Sequence, residues 1–175
     1  IIEIKAREEK RVKILMDLID QKEKTIVFCA TQAHAAAIRD LINQYKKSKE
    51  PLYCVRVTAE DGELGEQYLR DFQDNEKTIP TILTTSQKLS TGVDAKTCKL
   101  VVIDQRIESM SEFKQIIGRG TRIHVDEGNE VCPEKLSFTI MDFRRATELF
   151  ADPDFDGPPE MIYEPKDGES VVPPE

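Results

Sequence analysis

The sequence predicts an α/β protein of one domain: a parallel sheet with helices on both faces, followed by an extended C-terminal tail. Five short apolar runs alternate along the chain with stretches of helical periodicity, which is the pattern of a parallel sheet. The tail is indicated by an abrupt change of composition after residue 150, because six of the nine prolines lie beyond it.

The first elements form a helix, a strand and a second helix. Residues 6–20 have apolar side chains three and four positions apart, which predicts an amphipathic helix. Its apolar positions are Val12, Leu15, Met16 and Ile19. Residues 25–30 form a continuous apolar run, as expected of a strand that is buried on both faces. Thr31 can cap a helix that continues to Tyr45.

The same alternation continues to residue 150. Strands are predicted at residues 52–57, 79–84, 100–104 and 137–141, with helices at 63–74 and 111–121. Ligands of parallel sheets bind at the carboxyl ends of the strands. We therefore expect functional residues in the loops that follow Ala30, Thr58, Thr84 and Asp104.

Charge and composition exclude several classes of protein. The chain has 25 basic and 33 acidic residues, a formal net charge of −8, and 39% hydrophobic residues, as in a soluble globular protein. No apolar run is long enough to cross a membrane, and the first residues lack Met and the features of a signal peptide. We expect a piece of a longer cytoplasmic protein with no membrane partner.

Most of the negative charge belongs to the tail. Residues 151–175 contain eight acidic residues and one basic residue, Lys166. The other 150 residues are therefore nearly neutral. A local basic surface on the folded part is possible, but strong binding of nucleic acid through bulk charge is not expected.

The four cysteines are far apart and form no CxxC pair. No histidine lies at the spacing of a metal ligand, so no metal site is expected. Three of the cysteines, Cys29, Cys54 and Cys98, lie in or beside apolar runs and are expected to be buried, reduced thiols.

Residues 115–122 form the first segment of chemical interest. On a helix, Gln115, Arg119 and Arg122 share one face, where two guanidinium groups could hold phosphoryl oxygens and stabilise the charge of a transition state. Gly118 and Gly120 would allow the backbone to approach a ligand or neighbour closely. The alternative interpretation is a solvated basic helix end.

The second segment, residues 84–94, leaves a predicted strand as a hydroxyl-rich loop and ends in Gly-Val-Asp. Its side chains and amides suit contacts with phosphate or sugar, and Asp94 could accept a hydrogen bond from a ribose hydroxyl. The alternative is a helix-capping loop with an ordinary surface aspartate.

Together with residues 26–31, these segments resemble motifs IV, V and VI of the second RecA-like lobe of a superfamily 2 helicase or translocase. Within that superfamily, residues 29–35, 115–122 and 142–157 resemble the R subunit (HsdR) of EcoEI-like type I restriction endonucleases. The resemblance implies a RecA-like lobe at residues 1–150 and an acidic, proline-rich tail or linker at 151–175.

The resemblance also implies roles for individual residues. Arg122 would be the arginine finger, Arg119 its partner toward the γ-phosphate, and Gln115 a neighbour at the same cleft. Asp94 would lie near the nucleotide, and Gly92 would let the backbone approach it. The phosphates of the tracked DNA strand would contact three further residues, namely Thr31, Thr84 and Thr85.

Cofactors and partners follow from the same resemblance. ATP and Mg would be bound mainly by a first lobe, because no P-loop motif occurs in these residues. We therefore expect this chain alone to be inactive. Expected partners are DNA, the first RecA-like lobe and nuclease domain of the same parent chain, and the methylase and specificity subunits.

Two alternatives remain open at this point. The chain could be a lobe of another superfamily 2 helicase, such as a type III restriction subunit or an RNA helicase. It could also be a non-catalytic RecA-like module that docks onto a partner. Outside the motifs, His34 and His124 are expected to be surface or capping residues, and Glu60 and Asp61 are expected to form a turn.

Overall fold

A computed structural model describes residues 5–86, 98–118 and 139–150 of the chain. Strands and helices alternate over these residues, as the sequence predicts. Their order is α1 (Lys5–Leu18), β1 (Thr25–Cys29), α2 (Gln32–Tyr45), β2 (Cys54–Arg56), α3 (Gly62–Gln73), β3 (Ile82–Ser86), β4 (Leu100–Asp104), α4 (Met110–Ile117), β5 (Thr139–Asp142) and α5 (Ala146–Leu149).

The described strands form one five-stranded parallel sheet in the order β2-β3-β1-β4-β5. The first strand in sequence, β1, is therefore central and pairs with β3 and β4. Every residue of β1, β3 and β4 is buried. Full burial is the property expected of parallel strands that are covered on both faces.

Helices cover both faces of the sheet. Since successive strand residues point to opposite sides, the side chains of β1 divide between two apolar clusters. Val27 and Cys29 of β1 pack in one cluster with the apolar sides of α1 and α2, including Leu15 and Ile38. Ile26 and Phe28 pack in the other cluster with three further helices. The buried residues contributed by those helices are Phe72 of α3, Phe113, Ile116 and Ile117 of α4, and Ala146 of α5.

β2 and β3 differ most from their predicted bounds, while β1 ends one residue earlier and β5 one residue later than predicted. β3 begins at Ile82 and not at residue 79, and Pro80, which has no N–H to donate to the sheet, precedes it. The first backbone donor after Pro80 is Thr81, which bonds to the Tyr53 carbonyl at 3.0 Å. β2 is shorter than predicted and lies at the edge of the sheet with β3 as its neighbour.

The last described residue, Phe150, stacks on Phe113 of α4 with ring centroids 5.7 Å apart. Residues 151–175, the predicted tail, lie outside the described residues, and the predicted division at residue 150 stays a prediction. Within the described ranges, every helix is too short or too polar to cross a membrane.

Candidate functional site

The carboxyl ends of β3, β1 and β4 lie side by side. Cys29, the last residue of β1, is in register with Ser86 of β3 and with Asp104 of β4. The three loops that leave these strands therefore start at one edge of the sheet. The candidate residues predicted from the sequence lie at the ends of these strands, in the loops or in the elements that follow them.

The loop after β1 is a tight turn into α2. Thr31 has an extended backbone (φ −142°, ψ 165°) and caps α2, because its Oγ1 accepts from the His34 N–H at 3.0 Å. The imidazole of His34 turns back and accepts from the Ala30 N–H through Nδ1 at 3.2 Å. The capping role predicted for Thr31 is confirmed, and the residue remains partly exposed at the edge.

Replacing Thr31 with valine keeps the branched shape and removes the capping oxygen. We expect the free energy of unfolding, measured in urea, to fall by about 1 kcal/mol. Thr31→Ser keeps the oxygen and should stay close to the wild type. An equal loss in both variants would contradict the capping role.

Thr84 and Thr85 are fully buried in β3. The Thr84 hydroxyl donates to the Ala35 carbonyl of α2 at 2.9 Å, and the Thr85 hydroxyl donates to the Ser86 carbonyl at 3.3 Å. Both hydroxyls are thus used inside the domain, because β3 is covered on both faces. Their contact with nucleic acid stays a prediction that this geometry does not favour.

Gln115 lies on the exposed side of α4, opposite the buried Phe113, Ile116 and Ile117. Ser109 caps this helix by accepting from the Glu112 N–H at 3.1 Å. Gly118 follows as the C-terminal cap. The other predicted site residues lie outside the described residues, namely Gly92, Asp94, Arg119 and Arg122.

A group of charged and titratable residues around a buried aspartate lies at the same edge and was not expected from the sequence. We call it the edge cluster; its members are Glu8, Arg11, His34, Asp104 and Arg144. Asp104, only 2% exposed, accepts through Oδ1 from Arg11 Nη1 at 2.7 Å and from Arg144 Nε at 3.2 Å. The cluster therefore joins α1, β4 and the segment after β5.

His34 bridges the two carboxylates of the edge cluster. Its Nε2 lies 3.2 Å from Glu8 Oε2 and 3.5 Å from Asp104 Oδ2. Burial by itself raises the pKa of Asp104, but the His34 hydrogen bond and the charges of Arg11, His34 and Arg144 hold that pKa below its ordinary value. Asp104 is therefore ionised at neutral pH.

Glu8, His34 and Asp104 have ligand atoms within 4.8 Å of one another, the spacing that a metal ion requires. Two features favour an ion-pair network. Nδ1 of His34 accepts from Ala30, so Nε2 of the neutral ring carries its hydrogen toward the carboxylates. The two carboxylates also already have guanidinium partners, in Arg7, Arg11 and Arg144.

His34 is not a surface residue, since it is 5% exposed. The capping alternative agrees better with the structure, because the ring accepts from the Ala30 N–H just before α2. Two signals could have indicated the site, although the partners of His34 are distant in the sequence. On α2, His34 lies four and eight positions before Ile38 and Ile42, on the buried face of the helix. The apolar strand 100–104 also ends in an aspartate at the predicted functional edge. His124 lies outside the described residues.

The loop after β2 is held by Asp61. Its Oδ2 accepts from both the N–H and the hydroxyl of Thr58 at 2.7 Å, and its Oδ1 accepts from Arg56 Nε at 3.1 Å. Burial alone raises the pKa of Asp61, but these hydrogen bonds lower it below its ordinary value. The predicted turn is present, and Gly62 follows it with a left-handed φ of 53°.

The cysteines agree with their predicted state where they are described. Cys29, Cys54 and Cys98 are buried cysteines in the thiol form. Burial raises the pKa of Cys29 and Cys54, which keeps both thiols protonated. Cys132 lies outside the described residues.

The five-stranded parallel sheet with helices on both faces is the fold of a RecA-like helicase lobe. The chain belongs to the helicase conserved C-terminal domain family, which it matches over residues 10–124. The prediction of a RecA-like helicase lobe is thereby confirmed.

Particular relatives are endonuclease subunits of restriction enzymes. The chain is 50% identical over 145 residues to the type I restriction enzyme EcoAI endonuclease subunit of Escherichia coli, and 81% of the chain is covered. It is 30% identical over 129 residues to the EcoKI endonuclease subunit of Escherichia coli strain K12, with 69% covered. The chain spans 17% and 10% of the lengths of these two relatives.

A solved structure gives the same relationship. The fragment of an HsdR subunit of a type I restriction enzyme from Vibrio vulnificus YJ016 superposes with a TM-score of 0.79 at 49% sequence identity. The match covers 89% of this chain and 30% of that chain. The predicted resemblance to HsdR subunits is therefore confirmed.

Proposed function

We propose that the chain is the second motor lobe of an ATP-dependent double-stranded DNA translocase in the R subunit of a type I restriction endonuclease. The observation that carries the proposal is the 50% identity to an endonuclease subunit of that class. The chain spans 17% of that relative, so we propose that it is part of a longer protein, here called the parent protein.

The chemistry proposed for this lobe is to complete an ATP site built mainly by the first lobe. ATP and Mg would be held there by a P-loop, a motif that does not occur in these 175 residues. Arg122 and Arg119 would neutralise charge on the transferring γ-phosphoryl group, with Gln115 beside them. Gly92 and Asp94 would approach the nucleotide from the loop after β3.

The exposed position of Gln115 supports this arrangement. Phe113, Ile116 and Ile117 fix α4 against the sheet, so Gln115 faces outward on a helix of defined orientation. A neighbouring lobe could reach a side chain in that position. The amide of Gln115 could donate to or accept from groups at an interlobe cleft.

DNA is proposed to run along the turn after β1. Thr31 is partly exposed there, its oxygen holds the His34 N–H, and its own hydroxyl proton can be donated to a phosphate. The first amides of a helix lack partners within the helix and carry partial positive charge, which favours an anion. Such contacts carry no sequence information.

The proposed partners are those of a type I enzyme. They are the first lobe and nuclease domain of the parent protein, the methylase and specificity subunits, and the DNA. Recognition of a particular DNA sequence would belong to the specificity subunit, because this lobe contributes phosphate contacts only.

Translocation by the parent protein tests the proposal directly. ATP-dependent displacement of a third strand from a DNA triplex, placed away from the recognition site, is the expected result with the complete enzyme. An enzyme that hydrolyses ATP but leaves the third strand bound would contradict the proposed translocase.

The 175-residue chain itself is expected to bind duplex DNA weakly, without sequence preference and with strong dependence on salt. Each phosphate contact contributes about −0.9 to the slope of log K against log salt. Removing residues 151–175 takes away eight acidic residues and should strengthen binding. Fluorescence anisotropy with a labelled duplex measures both effects, and a preference for one sequence would contradict the assignment.

A further inference from the structure

The turn after β1 depends on one side chain, His34. The ring Nδ1 of His34 accepts from the Ala30 N–H at 3.2 Å. The backbone N–H of His34 donates to Thr31 Oγ1 at 3.0 Å. The ring and the backbone of His34 therefore hold the two residues that form the turn. Loss of the ring contact would release Ala30 while the helix cap at Thr31 remained.

The other side of the imidazole is fixed by residues from two different elements. Nε2 lies 3.2 Å from Glu8 Oε2 on α1 and 3.5 Å from Asp104 Oδ2 at the end of β4. Both carboxylates pair with Arg11. Its Nη1 lies 2.7 Å from Asp104 Oδ1 and 3.5 Å from Glu8 Oε2. The His34 side chain is 7% exposed, so the ring has little room to reorient.

This arrangement selects one tautomer of the neutral ring. Acceptance from Ala30 needs a lone pair on Nδ1, so the hydrogen must reside on Nε2, where two carboxylates receive it. A carboxylate that accepts from one ring nitrogen sets the role of the other. The edge cluster is therefore suited to keep Nδ1 available to the turn.

We propose that His34 is a positioning residue for nucleic-acid binding: through Nδ1 it holds the Ala30–Thr31 turn, and Glu8 and Asp104 keep its ring in the tautomer that can do so. The inference rests on the proposed function, because it needs Thr31 and the start of α2 to contact the DNA backbone. His34 itself does not touch the DNA.

The role of His34 makes the turn sensitive to protonation. A second hydrogen on Nδ1 would face the Ala30 N–H donor, and the bond between them would be lost. The charged and titratable groups around the ring are Glu8, Arg7 and Arg11 of α1, Cys29 of β1, Asp104 of β4, and Arg144 after β5.

Burial lowers the pKa of His34, but the hydrogen bonds and charges of Asp104 and Glu8 outweigh burial and raise that pKa above its ordinary value. The neutral ring that holds the turn is therefore favoured at alkaline pH. The protonated ring, which releases Ala30, is favoured as the pH falls through the raised pKa.

Two substitutions separate the two sides of the ring. In His34→Asn, the amide oxygen can occupy the place of Nδ1 and accept from Ala30, but the side chain cannot reach the carboxylates. In His34→Gln, the amide nitrogen can occupy the place of Nε2 and donate to Glu8 and Asp104, but the acceptor for Ala30 is lost. DNA affinity is measured for both with a labelled duplex at low salt and alkaline pH.

We expect His34→Gln to weaken DNA binding about 3- to 10-fold, the effect of one lost hydrogen bond, and to make the salt slope shallower. His34→Asn should stay within about twofold of the wild type. Equal losses of DNA affinity in the two variants, or no loss in either, would overturn the role of His34 but leave the proposed DNA contact standing. A wild-type chain that binds no DNA would overturn the proposed DNA contact and this role with it.

Nuclear magnetic resonance of the unmodified chain gives a second test that does not depend on folding of the variants. Ring ¹⁵N shifts should show the Nε2–H tautomer at alkaline pH, and the Ala30 amide should exchange slowly with solvent. Exchange at Ala30 should accelerate as His34 becomes protonated. An Nδ1–H tautomer, or an Ala30 amide insensitive to His34 titration, would overturn the proposal whatever the DNA affinity.

Discussion

Replacing Arg122 with alanine is expected to reduce the DNA-stimulated kcat of the parent protein by about 10³- to 10⁵-fold, the range measured for arginine fingers. The guanidinium is proposed to neutralise charge that grows on the γ-phosphoryl group during transfer. ATP affinity should change far less, because the first lobe is proposed to hold the phosphates. Single-turnover hydrolysis and nucleotide binding, measured side by side, separate the two effects.

Arg122→Lys keeps the positive charge but loses the planar pair of donors, so it should be almost as damaging as Arg122→Ala. Arg70 provides a matched control, since its side chain is 61% exposed on α3 and is paired with Glu66 at 3.8 Å. Arg70→Ala should leave turnover within a few-fold. Near-normal hydrolysis by a folded Arg122 variant would contradict the finger assignment.

The largest expected effect on stability comes from Asp104. Replacing it with alanine leaves Arg11 and Arg144 without the carboxylate that they share, in a place where the Asp104 side chain is 3% exposed. Removing one partner of a buried ion pair costs about 3–5 kcal/mol. Equilibrium unfolding in urea measures the loss.

Glu23→Gln is the control for this measurement, because Glu23 pairs with Lys99 at the surface, with 39% of its side chain exposed. An exposed pair contributes about 0–1 kcal/mol. If Asp104→Ala were no more destabilising than Glu23→Gln, the edge cluster would not be an important source of stability.

The pH dependence of the Asp104 effect has a definite sign. The pKa of Asp104 is lowered by the His34 hydrogen bond and by Arg11 and Arg144, which together outweigh burial. Its contribution is therefore complete above the ordinary aspartate pKa of ~3.9 and is lost as the pH falls through the lowered value. The gap between wild type and Asp104→Ala should narrow in acid.

His34 contributes with the opposite sign. Its raised pKa means that the charged ring stabilises the fold below the ordinary histidine pKa of ~6.5, and this part is lost as the pH rises through the raised value. The difference in unfolding free energy between wild type and Asp104→Ala should therefore also narrow at alkaline pH. A gap that is constant from acid to alkaline pH would contradict the coupling of the two residues.

The fold could be read from the sequence because its signals are local. Buried residues recur with the period of the helix or strand that contains them, and this period is visible along the chain. Examples are the apolar run at residues 25–30 and the spacing of Val12, Leu15 and Met16. The start of β3 was harder to predict, because the strand can begin only where backbone N–H groups are available after Pro80.

The site was only partly predictable, because side-chain partners come from distant elements. Thr31 could be identified, since capping is a local interaction. Thr84 was expected to contact DNA phosphates because of the resemblance to motif V, yet β1 and β2 flank its strand, β3, and helices cover it. His34 and Asp104 are 70 positions apart, and the sequence gives no local sign of their contact.

The rate of ATP hydrolysis by the purified parent protein, measured with and without linear duplex DNA, tests the central claim most directly. A motor whose second lobe contacts both DNA and ATP should hydrolyse ATP slowly alone and much faster when DNA is added, and Arg122→Ala should abolish the increase. Hydrolysis that DNA does not change, or that survives Arg122→Ala in a folded protein, would contradict the assignment of this chain as a motor lobe.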